Sequence, residues 1–393
     1  IKKALKLLGN PENKLNRPIN IIGSDGKFSC LTSLKYFIEA NKQSTSTFVS
    51  PHLFDLRSRI WLKNRFISLN EIKKYEKQIS RLNVTLSLFE VLTLIYVLAA
   101  SKRRVDYNIL EAGLMFFGDS TRLFNKPLVQ AATNINLQHI EWISPKTINE
   151  ICRQKVGYLS NQTNIYIGKQ NPKTLKIIKG ILKKNNSNIT YPSKWKIIYK
   201  SHYIYYKDNK HKILIRSDYI HSKGLIDNLG LAIKIALDLG IKPSVIQKTI
   251  PKIFFEGRLQ YLNRGKLRKF IHKKEKILLD GAHSNASGNN LYNYLKTLKL
   301  PIYCIWGMQK NKFPKEFLSN FKGIFKKIIT VEIPNEKNAC SADELKTIAL
   351  KLKYNVETSK NFKEGLKKIT SNKPKIICFM GSLYFIGSVL KEN

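Results

Sequence analysis

Residues 20–29 read NIIGSDGKFS, and they carry the chemistry that is easiest to read in this chain. A short apolar run, PINII, stops at Gly23. Ser24, Asp25, Gly26, Lys27, Phe28 and Ser29 follow, and then a helical pattern, CLTSLKYFIEA. Strand, glycine-bearing loop with a lysine and a hydroxyl, helix: this is the layout of a phosphate cradle. In such a loop, backbone N–H groups and a helix N-terminus face an anion, with an ammonium beside it. It names a ligand class, a nucleoside triphosphate. GxxGK also arises by chance, and this loop is shorter than the usual GxxxxGK[ST]. The flanking strand and helix carry the reading.

Three more polar groups fall just past strand-like segments: Ser29, Glu111 and His139. In a parallel sheet those strand ends line one crevice. A hydroxyl, a carboxylate and an imidazole there have the makings of a site for one divalent cation. Magnesium is the ion expected, because it bridges phosphate oxygens and keeps several waters. The plainer reading makes Glu111 a strand-end charge and His139 a turn residue. Lys155 lies on an amphipathic helical pattern, PKTINEICRQKVG, where a lysine usually faces solvent. Asp280 and His283, in LLDGAHS, follow a later strand. Arg258, in FFEGRLQYL, stands at the expected domain junction, where a guanidinium either ties domains together or meets phosphate.

The elements that must position these groups show in the hydrophobic rhythm. Helices are expected at 1–8, 68–82, 87–104, 145–157, 224–240 and 244–253, and strands at 18–22, 47–52, 106–113, 129–135 and 164–168. A Tyr-, Lys- and Asn-rich stretch at 185–220 reads as β-hairpins. From about residue 257 strands and helices alternate regularly, beginning at KILLDG and ending at KIICFMG and LYFIGSVLKE. This rhythm argues an α/β class with mostly parallel sheets covered by helices. At 393 residues two domains are the default, placed at 1–256 and 257–393.

Composition narrows the function classes. The apolar run LFEVLTLIYVLAA holds Glu90 and is too short to span a bilayer, and no signal-peptide pattern is present. Five scattered cysteines without a CxxC read as free thiols in a reducing compartment, with no zinc site. The net charge of +42 admits a nucleic-acid partner. However, lysine far outnumbers arginine, isoleucine and asparagine are abundant, and the lysines are spread along the whole chain. That is the profile of an A+T-rich coding bias with a solvated basic surface. Such a field favours acidic small substrates.

Taken in order, these stretches resemble the folylpolyglutamate synthase/dihydrofolate synthase family of the Mur-ligase superfamily, over essentially the whole chain. KKALKLLGNPENKLNRPINIIGSDGKFS is similar to that family's opening helix, "LGNP" turn and "GTNGKGS" loop. STFVSPHLFDLRSRI resembles "YTSPHL…ERI", SLFEVLT "YFEFLT", DYNILEAGL "DYAVLEVGL", and GDST "LDAT". TNINLQHIEW resembles "TNIGLDHTE", EICRQKVG "IAREKAG", FFEGRLQYL "PGRLEV", and LLDGAHSNA "LDGAHNPHA". PNEKNACSADEL and GSLYFIGSVL resemble "PNPRA…SAEEL" and "GSLYLVGEV".

The resemblance implies a fold and an activity. The fold is an N-terminal P-loop ATP-binding domain of Mur-ligase type plus a smaller C-terminal Rossmann-like domain. The activity is ATP-dependent ligation of L-glutamate to dihydropteroate or a (tetrahydro)folate, through an acyl phosphate that the glutamate amine attacks. The cofactors implied are ATP and Mg2+, with a second Mg2+ or a K+ as an open alternative. Gly23, Ser24, Asp25, Gly26, Lys27, Phe28 and Ser29 would bind ATP, with Lys27 on its phosphates. Asn228, Arg258, Asp280 and His283 would also meet the nucleotide. Ser29, Glu111 and His139 would hold the metal. Lys155 matches a lysine that the family can carbamylate; with Lys27 and His139 it makes up the catalytic set. Ser50, Pro51 and His52 would lie on the pterin side. A monomeric cytoplasmic enzyme with small-molecule substrates, no specific nucleic-acid partner and no membrane association is expected.

Departures from the family pattern qualify this. Phe28 stands for a glycine and forfeits unusual φ and close ligand approach. Asp25 stands for an asparagine and brings a carboxylate toward the phosphates. Met115, Phe116 and Phe117 replace Gly-Gly-Arg. Arg122 replaces an asparagine, Gln138 an aspartate, and Gly224 and Leu225 a His-Gln pair, and Ser284-Asn285 stands for Asn-Pro. Three alternatives stay open: a related ligase acting on another carboxylate, a nucleotide- or pterin-binding homologue without turnover, and a basic nucleic-acid protein.

Overall fold

The computed structural model describes residues 1–393 apart from Phe54, His139, Ser201, His202, Asp218, Tyr219 and His221. The chain divides into two compact units. One comprises Ile1–Asp218 and Gly224–Ile253, the other Tyr219–Lys223 and Phe254–Asn393. The sequence rhythm had put the division at 256/257.

The first unit opens with α1 (Lys2–Leu7), which ends where Gly9 and Asn10 turn to positive φ. There follow β1 (Pro18–Ile22), α2 (Lys27–Ala40), β2 (Thr45–Phe48), β3 (Ile60–Leu62) and β4 (Arg65–Phe66). Next come α3 (Leu69–Ser80) and α4 (Leu88–Ser101). Both are started by capping boxes, Ser68 with Glu71 and Ser87 with Glu90, in which side chains satisfy the otherwise orphaned N–H groups. In α4 every residue from Leu92 to Ala100 is buried, as a helix apolar on all sides must be. The series continues with β5 (Tyr107–Glu111), β6 (Val129–Ala132), α5 (Ile148–Val156), β7 (Asn164–Ile167), α6 (Pro172–Leu182) and β8 (Asn188–Thr190).

Among the described residues these strands form one sheet in the order β4-β3-β2-β5-β1-β6-β7-β8. Every pairing from β2 to β8 is parallel, and the β2–β3–β4 edge is antiparallel. The C-terminal ends of β2, β5, β1 and β6 therefore share one edge, where ligands of such sheets bind. β2 reads TSTF and is wholly buried. Its polarity is absorbed locally, since Ser46 Oγ donates to Asn108 Oδ1 at 2.7 Å and meets the Tyr96 hydroxyl at 3.0 Å.

Beyond the sheet lie β9 (Trp195–Lys200), β10 (Tyr203–Asp208) and β11 (Lys212–Ile215), an antiparallel meander. The hairpins expected over 185–220 are thus confined to these three strands, and β8 joins the parallel sheet instead. α7 (Lys223–Asp238) and α8 (Pro243–Thr249) follow.

The second unit alternates β12 (Gln260–Tyr261), β13 (Glu275–Asp280), α9 (Asn285–Leu295), β14 (Ile302–Trp306), α10 (Pro314–Ser319), β15 (Phe325–Thr330), α11 (Ala342–Lys351), β16 (Val356–Thr358), α12 (Phe362–Ile369), β17 (Lys375–Met380) and α13 (Leu383–Glu392). Its sheet order is β12-β13-β17-β14-β15-β16, parallel except for β12. β17 is buried along its whole length, as a central parallel strand should be. All five cysteines are free and buried, and among the described residues no helix is long and apolar enough to cross a membrane.

Candidate active site

The loop between β1 and α2 needs its two glycines for separate reasons. Gly23 has φ +145°, and a Cβ there would lie 2.0 Å from Thr133 Oγ1. Gly26 has φ +86°, and a Cβ there would lie 2.1 Å from Asn228 Nδ2. Gly26 precedes α2 with no side-chain cap, so the first N–H groups of a fourteen-residue helix are left for a ligand or water. Phe28 lies in the first turn of α2 with ordinary helical backbone, and it is not among the positive-φ residues. The loss of glycine at this position therefore brings no backbone penalty, because the left-handed conformations fall at 23 and 26.

Lysines converge on this loop. Lys27 Nζ donates to the carbonyls of Gly23 (3.2 Å) and Ser24 (3.3 Å). Lys155 Nζ donates to Gly23 O at 3.0 Å and also to Leu114 O. Lys155 is only 1 % exposed, so the solvated helix face read from the sequence is overturned. α5 is packed by Ile151, Cys152 and Val156 against Met115, Phe116, Ile22 and Ala132, and Lys155 shares that buried face. Burial, and then the charge of Lys27, pull its ammonium down to about 7, while Asp119, Asp25 and Cys152 oppose the shift. The segment Met115–Phe116 is thus absorbed as core, and Leu114 supplies the carbonyl. Phe117 remains half exposed, its ring tilted against that of Tyr158 with centroids 4.4 Å apart.

Glu111 ends β5 opposite Ile21 of β1 and is 3 % exposed. Its Oε2 accepts the backbone N–H of Ser50 at 3.2 Å, which brings the 50–52 loop to the same strand end. Within that loop His52 Nδ1 accepts from Arg59 Nε at 2.9 Å. Burial, and then the Arg59 charge, hold His52 below the usual histidine range. Pro51 is exposed. Ser29 is buried, donates from Oγ to Gly26 O at 3.0 Å, and accepts from Asn228 Nδ2 at 3.0 Å. Asn228, from α7, therefore reaches the mouth of the loop. Ser29 and Glu111 offer hard oxygen donors of the kind magnesium takes. His139 lies outside the described residues. Among those described, no cluster of three or more His, Cys, Asp or Glu side chains is arranged for a metal.

Two positions escaped the sequence reading. Asp119 accepts from Gly113 N (2.9 Å), Thr121 N (2.9 Å) and Thr121 Oγ1 (2.6 Å), and so fixes the turn after Glu111. Burial pushes its carboxyl up. Its only sequence signal was the turn-like GDST. Asn136 is the other, its Nδ2 donating to Asp25 Oδ2 at 2.6 Å.

In the second unit Arg258, Asp280 and His283 share one corner at the end of β13. Asp280 accepts from Leu259 N (2.9 Å) and Ala282 N (2.8 Å). Full burial pushes its carboxyl up against the pull of Arg258. The His283 ring meets Gly281 O through Nδ1 at 2.7 Å. A Cβ at Gly281 would lie 2.7 Å from Arg258 Nη1.

A glycine loop at the C-terminal edge of a parallel sheet, two lysines on one of its carbonyls, and a carboxylate at the adjacent strand end make up an α/β fold with a loop of the P-loop kind. Comparison with known proteins narrows the class. The family described as "Dihydrofolate synthetase, C-terminal domain" matches residues 263–392. A dihydrofolate synthetase of Saccharomyces cerevisiae is 23% identical, across 100% of this chain and 96% of its own length. The folylpolyglutamate synthase of Mycobacterium tuberculosis, solved with ADP and AMPPCP, superposes with a TM-score of 0.88 at 18% identity, covering 99% of this chain and 93% of that one. The bifunctional folylpolyglutamate synthase/dihydrofolate synthase of Yersinia pestis, solved with AMPPNP and a Mn ion, gives 0.85 at 17% identity, covering 99% and 92%. Over its whole length the chain is similar to dihydrofolate synthetases and folylpolyglutamate synthases, and it shares their fold.

Proposed function

We propose that this chain is an ATP-dependent amide ligase that joins L-glutamate to dihydropteroate or a reduced folate through an acyl-phosphate intermediate. What carries the reading is the convergence of Lys27 and Lys155 on the carbonyl of Gly23, beside the uncapped start of α2 and next to the strand end that bears Glu111. The family's named activities, and the nucleotide and manganese bound in its solved members, support it.

In this reading the N–H groups at the start of α2 and the Lys27 ammonium take the triphosphate of ATP. Ser29, Glu111 and His139 would hold magnesium, which would supply positive charge to offset that of the phosphates. Phosphoryl transfer asks mostly for positioning, and Lys155 supplies part of it by fixing the Gly23 carbonyl. A carbamate on Lys155 would turn anionic oxygens toward two carbonyls, so carbamylation requires that side chain to leave both of them first. Arg258, Asp280, His283 and Asn228 serve the nucleotide. Ser50, Pro51 and His52 serve the acceptor that carries the carboxylate. We also propose a monomeric cytoplasmic protein divided near residue 256.

The test is ADP release from Mg-ATP in the presence of glutamate and a panel of pteroate-type and other carboxylate acceptors. Turnover confined to pteroate-type acceptors is expected. Turnover only with an unrelated carboxylate favours a divergent ligase. Tight ATP binding with no ADP from any acceptor, repaired by Phe28→Gly, favours a nucleotide-binding homologue.

A further inference from the structure

Asp25 departs from the family pattern toward an acid, and Gln138, 113 residues later, departs from it toward an amide. In the structure they are two ends of one hydrogen bond: Gln138 Nε2 donates to Asp25 Oδ2 at 2.9 Å. Asn136 Nδ2 donates to the same oxygen at 2.6 Å, and also to Asn134 Oδ1 at 3.0 Å. Backbone contacts run alongside. Ser24 N and Asp25 N donate to Asn134 O at 2.8 and 3.3 Å, and Ser24 Oγ donates to Asn136 O at 3.1 Å while accepting from Asn136 N at 3.2 Å. Asp25 and Asn134 form an isolated antiparallel bridge. The phosphate loop is therefore stitched to the segment that leaves β6 and runs toward His139 in sequence. The charged acceptor makes the side-chain bonds the strongest part of the seam.

We infer that Asp25 and Gln138 are positioning residues that hold the phosphate loop against the 134–138 segment, and that the acid and the amide have exchanged places in this chain relative to the family pattern. The inference rests on the ligase reading given above. A hydrogen bond between carboxylate and amide works with either partner on either strand. Changing one end alone leaves two amides, or two facing carboxylates that repel. The carboxylate at 25 also explains how an acid is tolerated beside a phosphate cradle, because two amide protons occupy one of its oxygens.

The experiment is a swap cycle of Asp25→Asn, Gln138→Asp and the double variant, with circular dichroism and melting as fold controls. KM and kcat for ATP, nucleotide affinity by calorimetry, and hydrogen exchange of peptides covering 24–29 and 134–138 are read for each. Gln138→Asp is expected to raise the KM for ATP at least tenfold with a smaller change in kcat, and to speed exchange in both peptides. Asp25→Asn does the same more weakly. The double variant is expected to return to within about threefold of wild type in KM, and to wild-type exchange. Losses that multiply in the double variant overturn the inference, as does unchanged exchange in Gln138→Asp. Should Gln138→Asp fail to fold, Gln138→Ala removes the donor without adding charge and reads the same exchange. If the wild type binds no nucleotide, the ligase reading fails, while the exchange data still decide the seam.

Discussion

Lys155 is an ammonium where solvent is absent, and its cost has a sign that can be measured. Its pKa falls from an ordinary 10.5 to about 7 in the folded protein. Between those values the unfolded chain holds a proton that the folded chain has released, so this group makes folding more favourable as pH rises from about 7 toward 10.5. Below pH 7 the full penalty is present. Lys155→Met should flatten this dependence. The difference in melting temperature between wild type and variant, followed from pH 6 to 10, should shift steadily in favour of the wild type. Lys27 is different, since it is half-buried and, among the described residues, its ammonium bonds to two loop carbonyls. Lys27→Ala should abolish ADP release while leaving the circular dichroism spectrum and melting temperature close to wild type. Unchanged turnover would mean that the loop has been assigned the wrong ligand. Gly26→Ala places a methyl group on the Asn228 amide in a left-handed conformation, and should cost about 1 kcal/mol or more of stability together with nucleotide affinity.

At the scale of elements, the helices α3 and α4 depend on boxes built from Ser68 with Glu71 and Ser87 with Glu90. Ser87→Ala should lower stability by about 1 kcal/mol in denaturant titration, with kcat unaffected, because α4 is core and far in sequence from the loop. β1, α4, β5 and the alternating second unit from β13 onward were legible in the sequence because apolar runs of strand length, separated by helical periods, have few other readings, whereas the two-residue β12 was not anticipated. β2 was legible only in part. Its TSTF pattern looks solvated, and only the partners Asn108 and Tyr96 make it a buried strand. α6 was not anticipated, since PKTLKIIKGIL carries lysines among its apolar positions and buries only Thr174, Ile178 and Leu182. Of the site, the loop, Glu111 and the β13 corner could be read from motif spacing. The burial of Lys155 and the role of Asn136 could not, because each arises from contact with the phosphate loop more than a hundred residues away, and the local turn that Asp119 holds together showed only as a polar loop.

The whole molecule carries +42, and its substrates in the proposed reaction are anions. A general positive field of this kind speeds encounter and is screened within about 10 Å at 0.1 M salt. Raising sodium chloride from about 50 to about 500 mM should therefore raise the KM for ATP and for glutamate while leaving kcat nearly constant, since interactions of buried groups are screened far less. A fall in kcat alone would place the salt effect on the fold.

The hydrogen bond from Asn228 to Ser29 spans 199 residues. A ribosome adding roughly 5–20 residues per second needs on the order of 10–40 seconds to travel from one to the other. During that interval the emerging β1–α2 turn exists without the amide that packs against Gly26. Any protein truncated before α7, whether by a premature stop or by proteolysis, carries a nucleotide cradle with one wall missing. In the proposed reaction, a chain ending before α7 should therefore hold a triphosphate more weakly than the full chain, which calorimetry with such a fragment would check.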